Sequence, residues 1–483
     1  MIKKGFFILY FLIFYCFNTF PQKTFLKIFN TPEKFEIISD VNILNNNELI
    51  MSGYYYNEMD TLYRGFIKKM TFEGVFTKDL TIMYNNTNTG VSDILAISND
   101  SILLIGNINS SSFFIKCIDN NFNNIWEKIL SFNSEYETGA GKGIIDKNLK
   151  KILIPMSIIK NPNLMDFDYS IYKLDLEGNI DSIYEFVKEG FQNSPKIYYY
   201  SKGKYIFTIV DNTETISFVD VNMNILDSTQ LISSENGDYF NGGNDIYVYN
   251  NNSILYNSRL LYNTYPPKPD NVGILKYDSL LNKVCETLPQ NQDELYLIDT
   301  RAMGIAVNSQ NDIFLTAMAS TCGDIFCNTY VMVCKLDSNL NIIWEKYYGG
   351  NLTYSPQAII STSDDGCMIL GEIRTFYKKS TADIFILKLD SEGNFTNIDN
   401  PEIVAKELLL YPNPATTEIN IRLGAHLKDV TLEVYDISGK LVLTQKLENT
   451  ESKINISALN SGAYIYKCYN KERVIDTGKF VKE

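Results

Sequence analysis

Residues 330–350 read YVMVCKLDSNLNIIWEKYYGG, and 383–394 repeat the heart of that run as DIFILKLDSEGN. Each is a short apolar stretch that stops at an Asp-to-Asn turn, the mark of a strand entering a hairpin. Ahead of them stand GIAVNSQNDIFLTAM (304–318) and QAIISTSDDGCMILGEI (357–373), in which apolar runs and turns alternate in the same way. One full unit therefore holds four strands. Working outward, the same grammar returns as VNILNNNELIMSG with GFIKKMTFEGVF, DILAISNDSILLIG with FFIKCIDNNFNNIWEKIL, KKILIPMSI with YSIYKLDLEGNI, KYIFTIV with TISFVDVNMNIL, and SILYNS with GILKYDSLLNKV. These make seven units, about 40 to 60 residues apart, and a period of that size marks a repeat architecture. No part of the region carries a helical period. Seven four-stranded sheets in sequence pack most economically as a β-propeller, expected over 23–400.

The two ends of the repeat region fit each other. The last unit stops at KLDSEGNFTNID and lacks a fourth strand like IIWEKYYGG. KTFLKIFNTPEKFEIIS (23–39) aligns with WEKYYGGNLTYSPQAIIS (344–361), so residues 24–29 are expected to complete the last sheet and close the ring. A closed ring leaves no open edge to template aggregation. The region resembles the propeller-like repeats of large secreted bacterial proteins, with their KLDxxGN-type turn followed by WEKxYGG. That resemblance implies a fold and an extracellular habit, and it brings no catalytic residue with it.

The chain begins MIKKGFFILYFLIFYCFNTFPQ (1–22), where Lys3 and Lys4 precede an apolar run over 5–17 and a polar break at Asn18 and Thr19. This is the pattern of a signal peptide. The alternative is a membrane anchor, but the run is short of the roughly 20 residues a bilayer helix needs, and Pro21 interrupts it. Cys16 follows bulky Tyr15, which does not suit a lipid-attachment site. Cleavage removes two lysines and no acid, taking the formal charge from -14 to -16.

Lys and Arg number 43 against 57 Asp and Glu. That charge repels phosphates, so neither nucleic acid nor an anionic membrane is expected as partner, and the mature chain is expected to hold no transmembrane segment. The single histidine, His426, excludes His-rich metal sites and leaves little room for a His-dependent nucleophile. Seven cysteines follow the N-terminal segment: Cys117, Cys285, Cys322, Cys327, Cys334, Cys367 and Cys468. They are scattered and odd in number, which is no disulfide framework. Cys322 and Cys327, in STCGDIFCNT, are close enough for a local bridge; the others read as small buried hydrophobes. No metal and no cofactor are expected.

A linker, 401–407, leads into 408–483, where strands alternate with Gly and Asn turns as in a small antiparallel β-sandwich. The motifs here are Tyr411-Pro412-Asn413-Pro414 with Ala415 and Thr416, YDISGKLV (435–442), LNSGAY (459–464, with Gly462 and Tyr464), and the terminal Lys479-Phe480-Val481-Lys482. In that order they resemble the type A sorting domain of the type IX (Por) secretion system. The resemblance implies the type IX machinery as partner, passage through the periplasm and across the outer membrane, and a product secreted or held at the cell surface. The fold class is thus all-β: a seven-bladed propeller followed by a sorting domain.

In a propeller, the loops from second to third strand share one face. They are long at 53–65, 157–168, 257–271, 319–330 and 372–383 and short in the second and fourth units. Tyr54, Tyr55, Tyr56, Tyr63, Tyr262, Tyr265, Phe376 and Tyr377 would stand there, able to stack on sugar rings or fill pockets on a protein. Aligning the innermost strands puts Asp40, Asp93 and Asp245 at one equivalent position, where other units carry Gly143, Gly304 and Ala358. Converging carboxylates suit a hard cation or an acid/base pair, or else accept hydrogen bonds from turns. Asp119, Asp175, Asp220, Asp337 and Asp390 open calcium-like strings, but hairpin turns explain their Asn and Gly and the bidentate Glu is missing. Asp60-Thr61 and Asp278-Ser279 are possible O-glycosylation points. The sequence favours a binding or adhesion module for carbohydrate or protein, without enzymatic activity. The alternatives are an extracellular carbohydrate-active enzyme using Asp40, Asp93 and Asp245, and a structural surface spacer.

Overall fold

The computed structural model describes residues 24–29, 34–395 and 408–483, apart from 45–47, 58–61, 99, 133–136, 162–165, 188–195, 211–213, 231–238, 250–251, 262–268, 292–294, 300–302, 321–328, 351, 375–381, 412–413, 424–428, 448–450 and 472–473. The described residues contain strands and turns and no α-helix. Sheets of consecutive antiparallel strands follow one another over 34–82, 89–131, 137–187, 196–230, 239–287, 296–349 and 353–389, the first and last of them joined by a single parallel pair, Phe35 with Ala382. In the third and sixth the innermost strand is split, into Glu137–Ala140 with Ile144–Asp146 and Tyr296–Asp299 with Ile305–Val307. The last sheet has three strands of its own, and Phe25–Phe29 pairs antiparallel with its outer strand, Phe25 opposite Lys388 and Phe29 opposite Ile384. The arrangement is all-β and propeller-like.

The inner strands are apolar on both faces because each sheet is sandwiched between two others. Leu44, Ile50 and Ile67 of the first sheet pack on Ile94, Leu104 and Phe114 of the second. Similar clusters join second to third, third to fourth, fourth to fifth, fifth to sixth and sixth to last. A seventh cluster, with Phe25, Ile360, Met368 and Ile384, joins the last sheet to Ile38, Met51 and Phe66 of the first. Most of these side chains are almost fully buried, and each contributes roughly 1.5–3 kcal/mol of transfer free energy.

The repeated turn explains itself in this packing. Asp337 accepts the Asn339 and Asn341 N–H groups (2.8 and 2.9 Å) on Oδ1 and the Asn341 side-chain amide (2.8 Å) on Oδ2. Asp119, Asp175, Asp220, Asp278 and Asp390 likewise hold both the N–H and the side-chain amide of the Asn four residues on. The fourth turn residue is left-handed, at φ +64° in Phe122, +63° in Met223, +60° in Leu281 and +68° in Leu340, or a glycine at Gly178 and Gly393. Where it is large, its own side chain is buried. Where it is glycine, a ring of the preceding sheet fills the space: Trp126 stands 2.6 Å from a Cβ built on Gly178, and Trp344 2.9 Å from one on Gly393. Trp344 also donates to the Ser391 carbonyl (3.1 Å) and Lys346 to that of Glu392 (2.6 Å).

The N-terminal strand repeats that staple against the first sheet. Phe25 stands 2.9 Å from a Cβ built on Gly74, at φ +69°, and Lys27 donates to the Glu73 carbonyl (2.7 Å). Phe25 and Lys27 therefore take the places of Trp344 and Lys346.

The C-terminal part forms two further sheets, Leu408–Tyr411 with Glu418–Leu423 and Glu451–Asn455, and Leu441–Leu447 with Val430–Asp436, Gly462–Tyr469 and Val474–Lys482. Ile419, Ile421, Val434, Tyr466 and Phe480 share their core.

Candidate functional site

Cleft and central cluster lie close together because of a bulge. In the innermost strands Lys34–Ile43 and Thr89–Ala96, the register slips by one residue between Ile38 and Asp40 and between Val91 and Asp93. A bulge breaks the strict alternation of sides. Ser39 and Ser92, the extra residues, line a cleft of about 360 Å³, and Asp40 and Asp93 turn into the interior.

Tyr54 and Tyr63 form the aromatic wall of that cleft, with Asn88, Thr89, Asn107 and Asn109 among the residues facing them. Tyr63 is 43% exposed. Its ring lies 5.5 Å from that of Tyr54, edge to face, and 5.4 Å from that of Tyr56. Asn88 Oδ1 accepts the Tyr63 N–H (3.0 Å), and Asn107 Nδ2 donates to the Thr138 carbonyl (2.9 Å). Each amide is thus fixed at one end. Alternation along Glu48–Asn57 sends Tyr55 to the other face, where it is buried with the Lys34 ammonium 4.2 Å from its ring centroid. Of the tyrosines expected to bind, Tyr54 and Tyr63 meet in the cleft and Tyr56 supports them. Tyr262, Tyr265, Phe376 and Tyr377 lie outside the described residues, as do Cys322 and Cys327. The asparagines were missed because attention goes to long loops, whereas the cleft opens where the second sheet's turn is short.

Asp40, Asp93 and Asp245 are buried, at 4%, 2% and 5% exposure. They sit within their strands, opposite Ser52, Ile105 and Asn257. The register corrects the alignment of the third sheet. Gly141 N–H bonds the Pro155 carbonyl and Ile144 lies opposite Leu153, which puts Lys142, and not Gly143, at the aspartate position. Lys196, opposite Thr208, occupies it in the fourth sheet. Read around the seven sheets, the position holds Asp40, Asp93, Lys142, Lys196, Asp245, Gly304 and Ala358.

Each aspartate reaches the next sheet: Asp40 accepts the Ile94 N–H (3.2 Å), Asp93 that of Gly143 (2.7 Å) and Asp245 that of Ile305 (3.3 Å). Burial raises all three pKa values, and for Asp93, pushed well up, the neighbouring Asp40 charge adds to it. Burial opposes the Lys142 ammonium, but Asp40, Asp245 and Asp93 together outweigh it and raise its pKa. Asp40 Oδ2 and Asp93 Oδ1 both accept the Ile94 N–H, at 3.2 and 3.0 Å. This cluster fastens sheet to sheet.

The hairpin aspartates are spent on their own turns. Their Asn side-chain amides, before any other cause, hold Asp119, Asp175, Asp220, Asp278 and Asp337 below the ordinary carboxylate range. Among the described residues no group of three or more His, Cys, Asp or Glu is placed to hold a metal ion, and no helix is long and apolar enough to cross a membrane. Cys117, Cys334, Cys367 and Cys468 are buried free thiols, whereas Cys285 is half-exposed; burial pushes the Cys117 thiol up to about 11.

The sorting motifs are structural in this geometry. Ala415, 1% exposed, donates its N–H to Val481 (2.8 Å) and accepts that of Glu483 (2.8 Å), tying the motif after the linker to the chain's last residues. Tyr464 stacks on Phe480 at 5.5 Å and donates to the Asn460 carbonyl (2.8 Å). Gly462, Lys479 and Lys482 lie on the same two strands, Lys482 opposite Gly462. Pro414 is exposed, Tyr411 ends a strand, and Pro412 and Asn413 lie outside the described residues.

Fold and motifs together define an exported all-β, propeller-like protein with a C-terminal delivery domain. Residues 409–483 match the family described as the secretion system C-terminal sorting domain, and such a domain directs export to the cell surface or the medium. A funoran endo-beta-hydrolase of Wenyingzhuangia aestuarii is 29% identical over 77 residues, 16% of this chain and 10% of that protein. The chain therefore spans about a tenth of that relative's length, a stretch as long as the sorting domain. Among solved structures, the β-propeller domain of the trilobed protease from Pyrococcus furiosus aligns with TM-score 0.42 and 11% identity over 77% of this chain and 98% of that one. The N11 neuraminidase-like protein of A/flat-faced bat/Peru/033/2010 aligns with TM-score 0.39 and 9% identity, over 78% and 97%. Scores below 0.5 add nothing to what sheet order and register establish.

Proposed function

We propose that the protein is a secreted or cell-surface binding module: a closed seven-bladed propeller over 23–400, behind a cleaved segment 1–22 and ahead of a linker, 401–407, and the sorting domain, 408–483. The cyclic series of cores, with Phe25 and Lys27 repeating between last and first sheets the staple of Trp344 and Lys346, supports the closed ring. The ligand site is the cleft between the first three blades, and the ligand is a carbohydrate. One observation carries this: an exposed tyrosine ring braced by two others, facing asparagine amides each fixed at one end. Such a ring offers a flat apolar face to a sugar, and the amides offer donors and acceptors to its hydroxyls. The type IX machinery is the partner during export, after which the sorting domain is removed.

Retention of the full-length protein on immobilised polysaccharides tests the reading. Losing an aromatic contact of roughly 1.5 kcal/mol lowers affinity about tenfold, so Tyr63→Ala should bind about tenfold more weakly. Unchanged binding would move the site elsewhere, and an absence of binding to any polysaccharide would favour a protein ligand or a spacer.

A further inference from the structure

Resting on that reading, we propose that the cleft selects an uncharged glycan segment and rejects sulfated or uronate-bearing ones. The cleft's lining consists of Ser, Tyr, Asn, Thr, Gly, Val and Ala, without a Lys, Arg, Asp, Glu or His among the described residues. A sulfate or carboxylate taken from water into such a site needs a cation or a convergent set of N–H donors to replace its hydration. The neighbouring cations are committed to other groups. Lys142 faces Asp40, Asp93 and Asp245, Lys34 lies over Tyr55, and the Arg64 guanidinium is 5.9 Å from the same Tyr55 ring, on the far side of the strand from the cleft. The whole chain, at -14, adds repulsion toward a polyanion.

The polar groups on offer are matched to hydroxyls. Asn88 spends its carbonyl oxygen on Tyr63 and keeps its NH2; Asn107 spends its NH2 on Thr138 and keeps its carbonyl oxygen. The described residues supply no further partner to either, so the cleft presents one donor and one acceptor. A neutral sugar hydroxyl both donates and accepts and satisfies such a pair, whereas an anionic group accepts only. At about 360 Å³, near the small end of ligand sites at roughly 300–1,000 Å³, the cleft takes a short segment of a chain or its end.

The test is affinity electrophoresis of the full-length protein through gels containing neutral polysaccharides (xylan, mannan, a β-1,3-glucan) or anionic ones (alginate, carrageenan), at 20 and 500 mM salt. The expected result is retardation by at least one neutral polysaccharide, changing less than twofold with salt, and none by the anionic ones. Tyr63→Ala and Asn107→Ala should each weaken it about tenfold while leaving the thermal transition in place. Equal or stronger retention by the anionic polysaccharides, or a dissociation constant rising steeply with salt, overturns the neutral-ligand inference and leaves glycan binding standing. Retardation by a neutral polysaccharide that neither substitution weakens overturns the assignment to this cleft. No retardation by any of them overturns the glycan reading itself.

Discussion

Asp93 serves a donor of its own strand and a donor of the next sheet, and replacing it separates the two duties. Its Oδ2 accepts the Gly143 N–H at 2.7 Å across the gap between sheets, and its Oδ1 accepts the Ile94 N–H at 3.0 Å. Asp93→Ala strands the Gly143 N–H in the interior, at roughly 1–3 kcal/mol, whereas the Ile94 N–H keeps Asp40 Oδ2 at 3.2 Å. The expected loss is therefore roughly 1–3 kcal/mol, reduced somewhat because Asp40 then has Lys142 with less competition. Asp93→Asn keeps an acceptor for Gly143 and offers Asp40 an N–H, as the protonated acid does, so its cost should stay within roughly 1 kcal/mol. The sign of the pH effect follows from the raised pKa. The folded chain binds a proton at Asp93 more tightly than the unfolded chain, which releases it near its ordinary pKa of about 4. The stabilisation is complete below that value and is lost as pH rises through the raised folded pKa. Urea unfolding from pH 4.5 to 8.5, followed by fluorescence of the two tryptophans, should show the native protein weakening with rising pH relative to Asp93→Asn. Parallel pH profiles for native and Asn proteins, or an Ala variant as stable as the Asn one, would refute the reasoning.

Two glycines with the same φ of +70° separate space from strain. Gly203→Ala meets nothing within 4 Å and should cost roughly 1 kcal/mol, whereas Gly393→Ala also collides with Trp344 and should cost at least twice as much and shift tryptophan fluorescence. Phe25→Ala removes a ring 3% exposed at the junction of last and first sheets; a loss of roughly 3–5 kcal/mol should appear as a lowered melting temperature. Deleting 409–483 should leave the protein in the periplasm, detected by fractionation, and export of the truncated chain would refute the delivery role.

How much of this was legible in the sequence depends on the range of the interactions concerned. The hairpins were, because an aspartate and the asparagine four residues on make all their bonds inside one turn. So was the placing of 24–29, since Phe25 and Lys27 stand at the spacing of Trp344 and Lys346. The third sheet's inner strand was aligned one residue off, because GAGKGI gives no apolar alternation to fix register; only the paired strand shows Lys142 beside the aspartates. The role of those aspartates was equally hidden, as their acceptors serve N–H groups 50 to 60 residues away. The cleft gathers residues from 39 to 140, and half its character comes from a turn too short to attract notice.

Phe25 pairs with Lys388, so the first strand to be made waits for nearly the last. Until residues 382–389 exist, the strand at 25–29 has no partner and the first hairpin's Gly74 has its ring but no sheet behind it. A chain cut short anywhere before that point presents a raw strand edge, open to pairing with another chain. The protein's shape thereby records whether synthesis has passed residue 389, because only then does the strand at 25–29 find its partner.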